Sequence, residues 1–227
     1  MSIFNKLISK FITYIPKALT YIFAKRYVAG TTKETAFSAV KQLNNDGYIV
    51  TLDILGEHVR DRDTAKDISD RYIDLYYEID KRELKCNISI KPSHIGADID
   101  SEIFNTNLKA IIDACNKTNN FLRIDMESSR YTDLTVQTFK DFNVQSNNIG
   151  TVFQAYLHRT LEDVRKLDTE NLNFRLCKGI YKESDEISIT DREKINDNYL
   201  KILRYAFEND IYVAIATHDT SLLQSVY

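Results

Sequence analysis

Glycine is scarce in this sequence, with 6 in 227 residues, and no two of them lie within five positions of each other. The phosphate-binding loop GxGxxG needs three glycines within six positions, so an open doubly wound sheet that holds a dinucleotide through this loop is disfavoured. Proline is scarcer still, with 2 residues. Because no glycine-rich or proline-rich linker interrupts the chain, we predict a single domain over residues 31–227.

Cysteine and net charge are also low. The 3 cysteines form no CxxC pair, and their odd number argues against a disulfide framework, which favours a reducing, cytoplasmic location. The formal net charge is −3 at pH 7, and no arginine-rich run or basic stripe is present. Nucleic acid is therefore not an expected partner.

Acidic residues are absent from the first 30 positions, and the first acid is Glu34. Apolar residues recur there at helical spacing from Ile3 to Ile15, with lysines between them, which predicts a basic amphipathic helix. The lysines interrupt it too often for a membrane span. This N-terminal segment, residues 1–30, therefore either packs on the body of the domain or contacts anionic lipid through residues 1–25, peripherally and at the inner face of the membrane.

A helix is predicted directly after this segment. Thr31 and Glu34 have the spacing of a capping box, with Thr31 as the N-cap. The helix then extends to about Asn45, and Gly47 provides the C-terminal stop.

Short apolar runs then alternate with helical stretches along the chain. The six strand-like runs are Ile49–Leu55, Cys86–Pro92, Phe121–Glu127, Ile149–Tyr156, Phe174–Tyr181 and Ile211–His218. The helical stretches between them include Asp61–Lys81, Ser101–Lys117, Asp133–Asn143 and Asp191–Asn209. Because no hairpin turn joins any two runs, the alternation predicts a parallel sheet with helical crossovers.

The strand-like runs have one aliphatic face and one polar or small face. In Cys86–Pro92, for example, Ser89 and Lys91 alternate with Ile88 and Ile90. A strand buried between two layers of helices would be apolar on both faces. One polar face per strand instead favours a barrel whose inner wall is lined by polar side chains. We therefore predict an α/β fold of the (β/α)8, or TIM barrel, type.

Polar residues also lie at the C-terminal ends of all six runs. They are Asp53, Glu57, Lys91, Asp125, Glu127, Gln154, Tyr156, Lys178, Tyr181, Thr217 and His218. In such barrels the strand ends form the active site, so we expect these side chains to share one rim. Unpaired charge in a barrel mouth is costly, which indicates that a ligand uses it.

These strand ends resemble the motifs of the proline dehydrogenase family. The similar segments, in the family's order and spacing, are Thr51–Glu57, Ser89–Lys91, Phe121–Asp133, Gln154–Leu157, Phe174–Glu183 and Ala214–Asp219. The resemblance covers roughly residues 27–227. It implies a flavin enzyme, with FAD as cofactor, that oxidises L-proline to Δ1-pyrroline-5-carboxylate on the route to glutamate and passes the electrons to a membrane quinone.

The resemblance also implies a role for each site residue. Catalysis would depend on Asp125 and Arg175, with Arg175 beside the reactive nitrogen of the flavin, while Lys91 and Tyr181 would bind the substrate. The residues implied to hold the cofactor are Met126, Gln154, Arg175, Lys178, Gly179, Ile180, Thr217 and His218. No metal site is implied.

The family pattern continues beyond six strands. It adds two βα units and a final helix whose arginine pair grips the proline carboxylate. This sequence stops at Tyr227, so the resemblance implies a C-terminally truncated chain with about six of the eight βα units. The resemblance thus implies the activity of the family. Whether this chain is active by itself is left open.

Two other enzyme classes and one non-catalytic class fit some of the same residues. A barrel glycosidase would use Glu57 with Asp125 or Glu127 as paired acids. A metal-dependent hydrolase would use His58, Asp125 and His218 as ligands. Neither class accounts for the basic residues of the fifth run. The third alternative is a degenerate fragment that folds only partly or associates with another chain.

Overall fold

The computed structural model describes residues 28–144, 146–167 and 171–226. The chain divides into two compact units, with the boundary between Val50 and Thr51. The predicted lipid contact through residues 1–25 lies outside the described residues. Of the helices within the described ranges, none is long and apolar enough to span a bilayer.

Helix α1, Lys33–Asn45, lies in the first unit and begins one residue later than predicted. The prediction of Thr31 as N-cap is wrong, because Thr32 has the extended backbone (φ −124°, ψ 156°) and its hydroxyl accepts from the Thr35 N–H at 3.3 Å. Thr35 Oγ1 in turn accepts from the Thr32 N–H at 3.3 Å. The capping box therefore uses Thr35 in place of Glu34.

The C-terminal end of α1 confirms the prediction. Gly47 has a positive φ of 90°. Its N–H donates to Asn44 O at 3.0 Å, and the Tyr48 N–H donates to Leu43 O at 2.9 Å. This is a Schellman arrangement, which glycine adopts without the strain that a Cβ would introduce.

The second unit is built on a six-stranded sheet with the order β1-β2-β3-β4-β5-β6. The strands are β1 Val50–Leu52, β2 Cys86–Ile90, β3 Leu122–Ile124, β4 Ile149–Gln154, β5 Asn173–Cys177 and β6 Tyr212–Ala216. Neighbouring strands from β2 to β6 pair in parallel. All six predicted runs are confirmed as strands. Each strand ends before its predicted last residue, because the polar residues there leave the sheet.

Helices separate the strands, as predicted. Four of them begin at an aspartate whose side chain accepts backbone N–H groups of the first turn, namely Asp61, Asp100, Asp191 and Asp219. The helices are α2 Arg62–Lys81, α3 Ser101–Lys117, α4 Thr132–Asn143, α5 Thr160–Arg165, α6 Arg192–Glu208 and α7 Thr220–Gln224, with 3-10 turns at Pro92–His94 and Ser129–Tyr131. The caps set the point at which each loop becomes helix.

The outer face of the sheet is aliphatic. Ile88, Ile90, Leu122, Ile124 and Leu176 are fully buried there. Burial of each such side chain stabilises the fold by about 1.5–3 kcal/mol relative to exposure. This face forms the core between the strands and the helices.

The inner face is polar or small, as the alternation predicts. Register partners share a face in a parallel sheet, and the pairs on this face include Ser89 with Arg123, Arg123 with Gly150, and Arg175 with Ala214. The second unit is therefore a curled half-barrel of six parallel strands. The predicted fold class, a (β/α)8 barrel with about six of its eight units, is confirmed.

Candidate active site

Four charged side chains meet on the inner wall, next to the C-terminal ends of β1 to β3 and on β5. We call Asp53, Lys91, Asp125 and Arg175 the inner-wall cluster. Lys91 Nζ donates to Asp53 and lies 3.8 Å from Asp125 Oδ2. Arg175 Nη1 donates to Asp125 Oδ1 at 3.4 Å, and Ser89 Oγ donates to the same oxygen at 2.5 Å. The structure thus brings together the two residues predicted to be catalytic and one predicted to bind substrate.

Burial and charge act in opposite directions on this cluster. Burial raises the pKa of Asp125, against the hydrogen bond from Ser89 and the charges of Arg175 and Lys91. Burial lowers the pKa of Lys91, but the hydrogen bond to Asp53 and the nearby negative charges outweigh it, so that pKa is raised overall. Lys91 is therefore an ammonium at neutral pH. Burial disfavours the ionised form of Asp125, and its polar and cationic neighbours favour that form.

A phenol from the helical layer also reaches the cluster. Tyr72 on α2 is fully buried, and its hydroxyl donates to Asp53 Oδ1 at 2.9 Å and accepts from the Ile54 N–H at 3.3 Å. Burial, followed by the charge of Asp53, raises the pKa of Tyr72 far above its usual value, so the hydroxyl stays protonated. Both oxygens of Asp53 are thus occupied, one by Tyr72 and the other by Lys91.

Gln154 holds the chain where it leaves β3. Its Nε2 donates to the carbonyls of Met126 and Glu127 at 2.8 and 2.9 Å. Gln154 and Met126 are both buried. Gln154 Oε1 has no hydrogen-bond partner among the described residues. A buried acceptor without a donor costs about 1–3 kcal/mol, which marks this oxygen as a candidate partner for a ligand N–H.

The loop after β5 carries three of the residues predicted to bind the cofactor. Lys178 Nζ lies 2.5 Å from Asp219 Oδ2, and Arg192 Nη2 lies 2.9 Å from the same oxygen. The hydrogen bonds from these two cations hold the pKa of Asp219 below its usual range. Gly179 has a φ of 113°, and a Cβ there would lie 2.1 Å from the Tyr156 ring. Two cations therefore lie at this loop, and the missing side chain of Gly179 lets the Tyr156 ring pack against its backbone.

The remaining predicted residues follow β5 and β6 with fewer contacts. Ile180 is 89% exposed, and His218 is exposed as well. Thr217 Oγ1 accepts from the Asp219 N–H at 3.1 Å. Tyr181 is half-buried, and burial followed by the charges of nearby carboxylates raises its pKa to about 12, so its hydroxyl is a donor at neutral pH.

Three of the residues on which the rival enzyme classes depend, Glu127, His58 and Asp125, have other partners. Glu127 is 1% exposed, and its two oxygens accept from the Ser93 N–H and hydroxyl at 2.8 and 2.6 Å, so this carboxylate holds a loop. His58 Nδ1 lies 2.9 Å from Asp98 Oδ2, whereas Asp125 contacts Ser89 and an arginine. Within the described ranges no group of three His, Cys, Asp or Glu side chains could hold a metal ion. Glu127 and His58 are thus bonded to groups other than those that the rival classes require.

Sequence reasoning gave no role to three groups that the structure places in the site. Ser89 had a usable signal, since it shares the polar face of β2 with Lys91. Asp219 also had one, because an aspartate before a helix is a common N-cap. Tyr72 had none, because its position on α2 belongs to the apolar stripe of that helix.

Comparisons with known proteins agree with this geometry. The family model described as proline dehydrogenase matches residues 36–227. Proline dehydrogenase 2 of Bacillus subtilis subsp. natto is 35% identical over 202 residues, which cover 89% of this chain and 66% of that protein. Proline dehydrogenase 1 of Bacillus subtilis strain 168 is 32% identical over 220 residues, covering 96% of this chain and 72% of that protein. The chain thus spans about two thirds of the length of these curated relatives.

Solved structures have the same fold. Proline utilization A from Bdellovibrio bacteriovorus, inactivated by N-propargylglycine, has a TM-score of 0.81 at 24% identity, covering 88% of this chain and 26% of that one. Proline utilization A from Corynebacterium freiburgense has a TM-score of 0.72 at 19% identity, covering 86% of this chain and 24% of that one. These structures share the half-barrel. Together with the match over residues 36–227 and the relatives above 30% identity, they lead to one assignment: the chain belongs to the proline dehydrogenase family.

Proposed function

We propose that this protein carries out the FAD-dependent oxidation of L-proline to Δ1-pyrroline-5-carboxylate, in the route from proline to glutamate, and passes the electrons to a quinone. The observation that carries the proposal is the position of Asp125, which is 3.4 Å from Arg175 and 3.8 Å from Lys91 on one inner wall. Membership of the family supports the same reaction.

The residues around the mouth fit a flavin dinucleotide. Gln154 Oε1 is a buried acceptor that has no partner within the described part of the chain, and a flavin ring carries an N–H that would satisfy it. Arg175 offers a guanidinium to the reactive nitrogen of the ring. Lys178 would offer a cation to the phosphates, and Gly179 would offer a backbone N–H. The remaining proposed cofactor contacts are made by Met126, Ile180, Thr217 and His218.

The charged residues have separable roles in the proposed reaction. FAD, when bound, accepts the hydride from the carbon next to the proline nitrogen. A guanidinium keeps its charge at physiological pH, so Arg175 places a positive charge where negative charge develops, and Asp125 orients it through their ion pair.

The amine of proline is protonated at neutral pH, and the hydride leaves only after the nitrogen has lost its proton. Lys91 is already an ammonium and cannot accept that proton. Asp125 can, because burial raises its pKa towards the range in which a carboxylate serves as a base. Lys91, held by Asp53, then offers its charge to the substrate carboxylate, and Tyr181 offers its ring to the pyrrolidine ring.

Anaerobic titration of the purified protein with L-proline tests this proposal. We expect a yellow protein whose visible absorption bleaches with L-proline and not with D-proline. Arg175→Met should lower kcat/KM by about 10²–10³-fold, as the loss of one preorganised donor does elsewhere. Arg204→Met, at an exposed position on α6, is the matched control and should leave it unchanged. A flavin that L-proline does not bleach, or full activity in Arg175→Met, would contradict the proposal.

We also propose that residues 1–25 contact anionic lipid at the cytoplasmic face of the membrane, where a quinone would be reached. The basic amphipathic pattern of this segment supports the proposal. Flotation with vesicles, with and without anionic lipid, compares the whole protein with a variant that lacks residues 1–25. Binding that survives the deletion would refute it.

A further inference from the structure

Arg123 is a buried cation on the inner wall of β3 that the proposed reaction does not use. The residue is 6% exposed. Its Nη1 donates to the carbonyls of Thr151 on β4 and Asn173 on β5, at 3.0 and 3.2 Å, and the guanidinium carbon lies 4.7 Å from the centre of the Phe121 ring. Nε is buried without a partner, and no carboxylate in the described part of the chain forms an ion pair with Arg123.

The sheet leaves a space for this guanidinium. Gly150 on β4 is the register partner of Arg123. A Cβ at Gly150 would lie 2.5 Å from Arg123 Nη1 and 2.6 Å from Phe121 Cζ, closer than side-chain atoms approach. Glycine inside a strand is destabilising by roughly 0.5–1 kcal/mol relative to alanine. The buried guanidinium explains why a glycine occurs here.

Arg123 has a positive charge that no ion pair among the described residues neutralises. Burial, followed by the charge of Arg175, lowers the pKa of Arg123 to about 10, which leaves it protonated at neutral pH. The inner-wall cluster has two carboxylates and two cations, so its formal charges sum to zero. Arg123 lies on β3, two residues before Asp125, and adds one formal positive charge to the four residues of the cluster.

We propose that Arg123 is a further functional residue of this site, whose unbalanced positive charge favours negative charge over the inner wall and so raises the midpoint potential of the bound flavin. The inference rests on the proposed function. A charge in a buried environment acts over a longer distance than one in water, so Arg123 need not touch the cofactor. Its two carbonyl acceptors, both bonded by Nη1, fix the position of the charge.

The midpoint potential, measured by equilibration with redox dyes, tests the inference in the unsubstituted protein and three variants. Arg123→Gln and Arg123→Met should shift the potential to more negative values, by an amount equal to about tenfold in the equilibrium, or about 30 mV for two electrons. Arg123→Lys keeps the charge and should stay close to the unsubstituted protein. Arg123→Gln keeps a side-chain N–H donor and Arg123→Met does not, so the two variants together separate loss of charge from loss of hydrogen bonding.

A second readout needs no flavin. Arg123 and Asp125 attract each other, so Arg123→Gln should raise the pH at which the labelled Asp125 carboxyl titrates by carbon NMR. An unchanged potential or an unchanged Asp125 titration in Arg123→Gln would overturn the inference, and so would a shift of equal size in Arg123→Lys. A protein that takes up no flavin refutes the proposed function, while the Asp125 titration still decides whether Arg123 acts on the site.

Discussion

Replacing Asp125 by asparagine distinguishes the contribution of its charge to catalysis from its contribution to the stability of the fold. Asparagine has nearly the same shape but lacks the charge that lies 3.4 Å from Arg175 and 3.8 Å from Lys91. The proposed proton acceptor and both ion pairs are lost together. We therefore expect kcat/KM for L-proline to fall by about 10²–10⁴-fold, the range found when a general base is removed.

The free energy of unfolding should not fall with it. Burial raises the pKa of Asp125 despite its hydrogen bond and two neighbouring cations, so the folded state favours the neutral form more than the unfolded state does. The stabilising contribution of Asp125 is thus present at acid pH and is lost as the pH rises through the folded pKa. Asparagine is neutral throughout, so Asp125→Asn should be at least as stable at pH 7 as the unsubstituted protein.

Urea unfolding at several pH values, combined with steady-state kinetics, measures both effects. The stability difference should be small at about pH 3, where the native carboxyl is also protonated, and should grow in favour of asparagine towards neutral pH. Asp113→Asn on α3, where the aspartate is exposed and 2.7 Å from Lys109, is the control and should change stability by less than about 0.5 kcal/mol. If Asp125→Asn were less stable at pH 7 by more than about 1 kcal/mol, the ion pairs would outweigh burial and the reasoning would be refuted.

Three further substitutions, one of them with a matched control, test the geometry. Gly179→Ala combines a φ of 113° with a Cβ 2.1 Å from the Tyr156 ring, so its free energy of unfolding in urea should fall by about 2–5 kcal/mol. The control Gly47→Ala has nothing within 4 Å of its Cβ and should lose about 1 kcal/mol. Equal losses in the two variants would contradict the clash. Asp219→Asn removes a carboxylate whose pKa is lowered, so its stabilising effect should be present at neutral pH and shrink as the pH falls; a urea midpoint difference that does not vary with pH would count against it. Ile90→Ala removes a fully buried side chain of β2 and should lower the free energy of unfolding by about 2–5 kcal/mol, and a loss below about 1 kcal/mol would show that the core closes around the gap.

The sheet could be predicted from the sequence because the pleat imposes a period of two. Ile88 and Ile90 had to face one side of β2 if Ser89 and Lys91 faced the other, and a single polar wall per strand leaves few parallel architectures. The same pattern placed the residues of the inner-wall cluster on one wall. It could not set where each strand ends, since the polar face continues into the loop.

Partner choice in the site could not be predicted, because it depends on distances between segments remote in sequence. Lys178 was expected to serve the cofactor, but its contact with Asp219 spans 41 positions. Helix α5, Thr160–Arg165, was not predicted because 6 residues are too few to show a helical period. The N-cap at Thr32 was misplaced by one residue because adjacent threonines are equally able to cap, and only the backbone angles distinguish them.

The hydrogen bond from Tyr72 to Asp53 has a consequence for how such barrels can be altered. It crosses from the helical layer into the pocket, so α2 does more than cover the sheet. An engineer who transplanted the outer helices of another barrel onto these strands would have to keep a phenol at that depth or supply Asp53 with another donor. Exchange of the outer layer is therefore limited by the chemistry of the pocket as well as by the fit of apolar side chains.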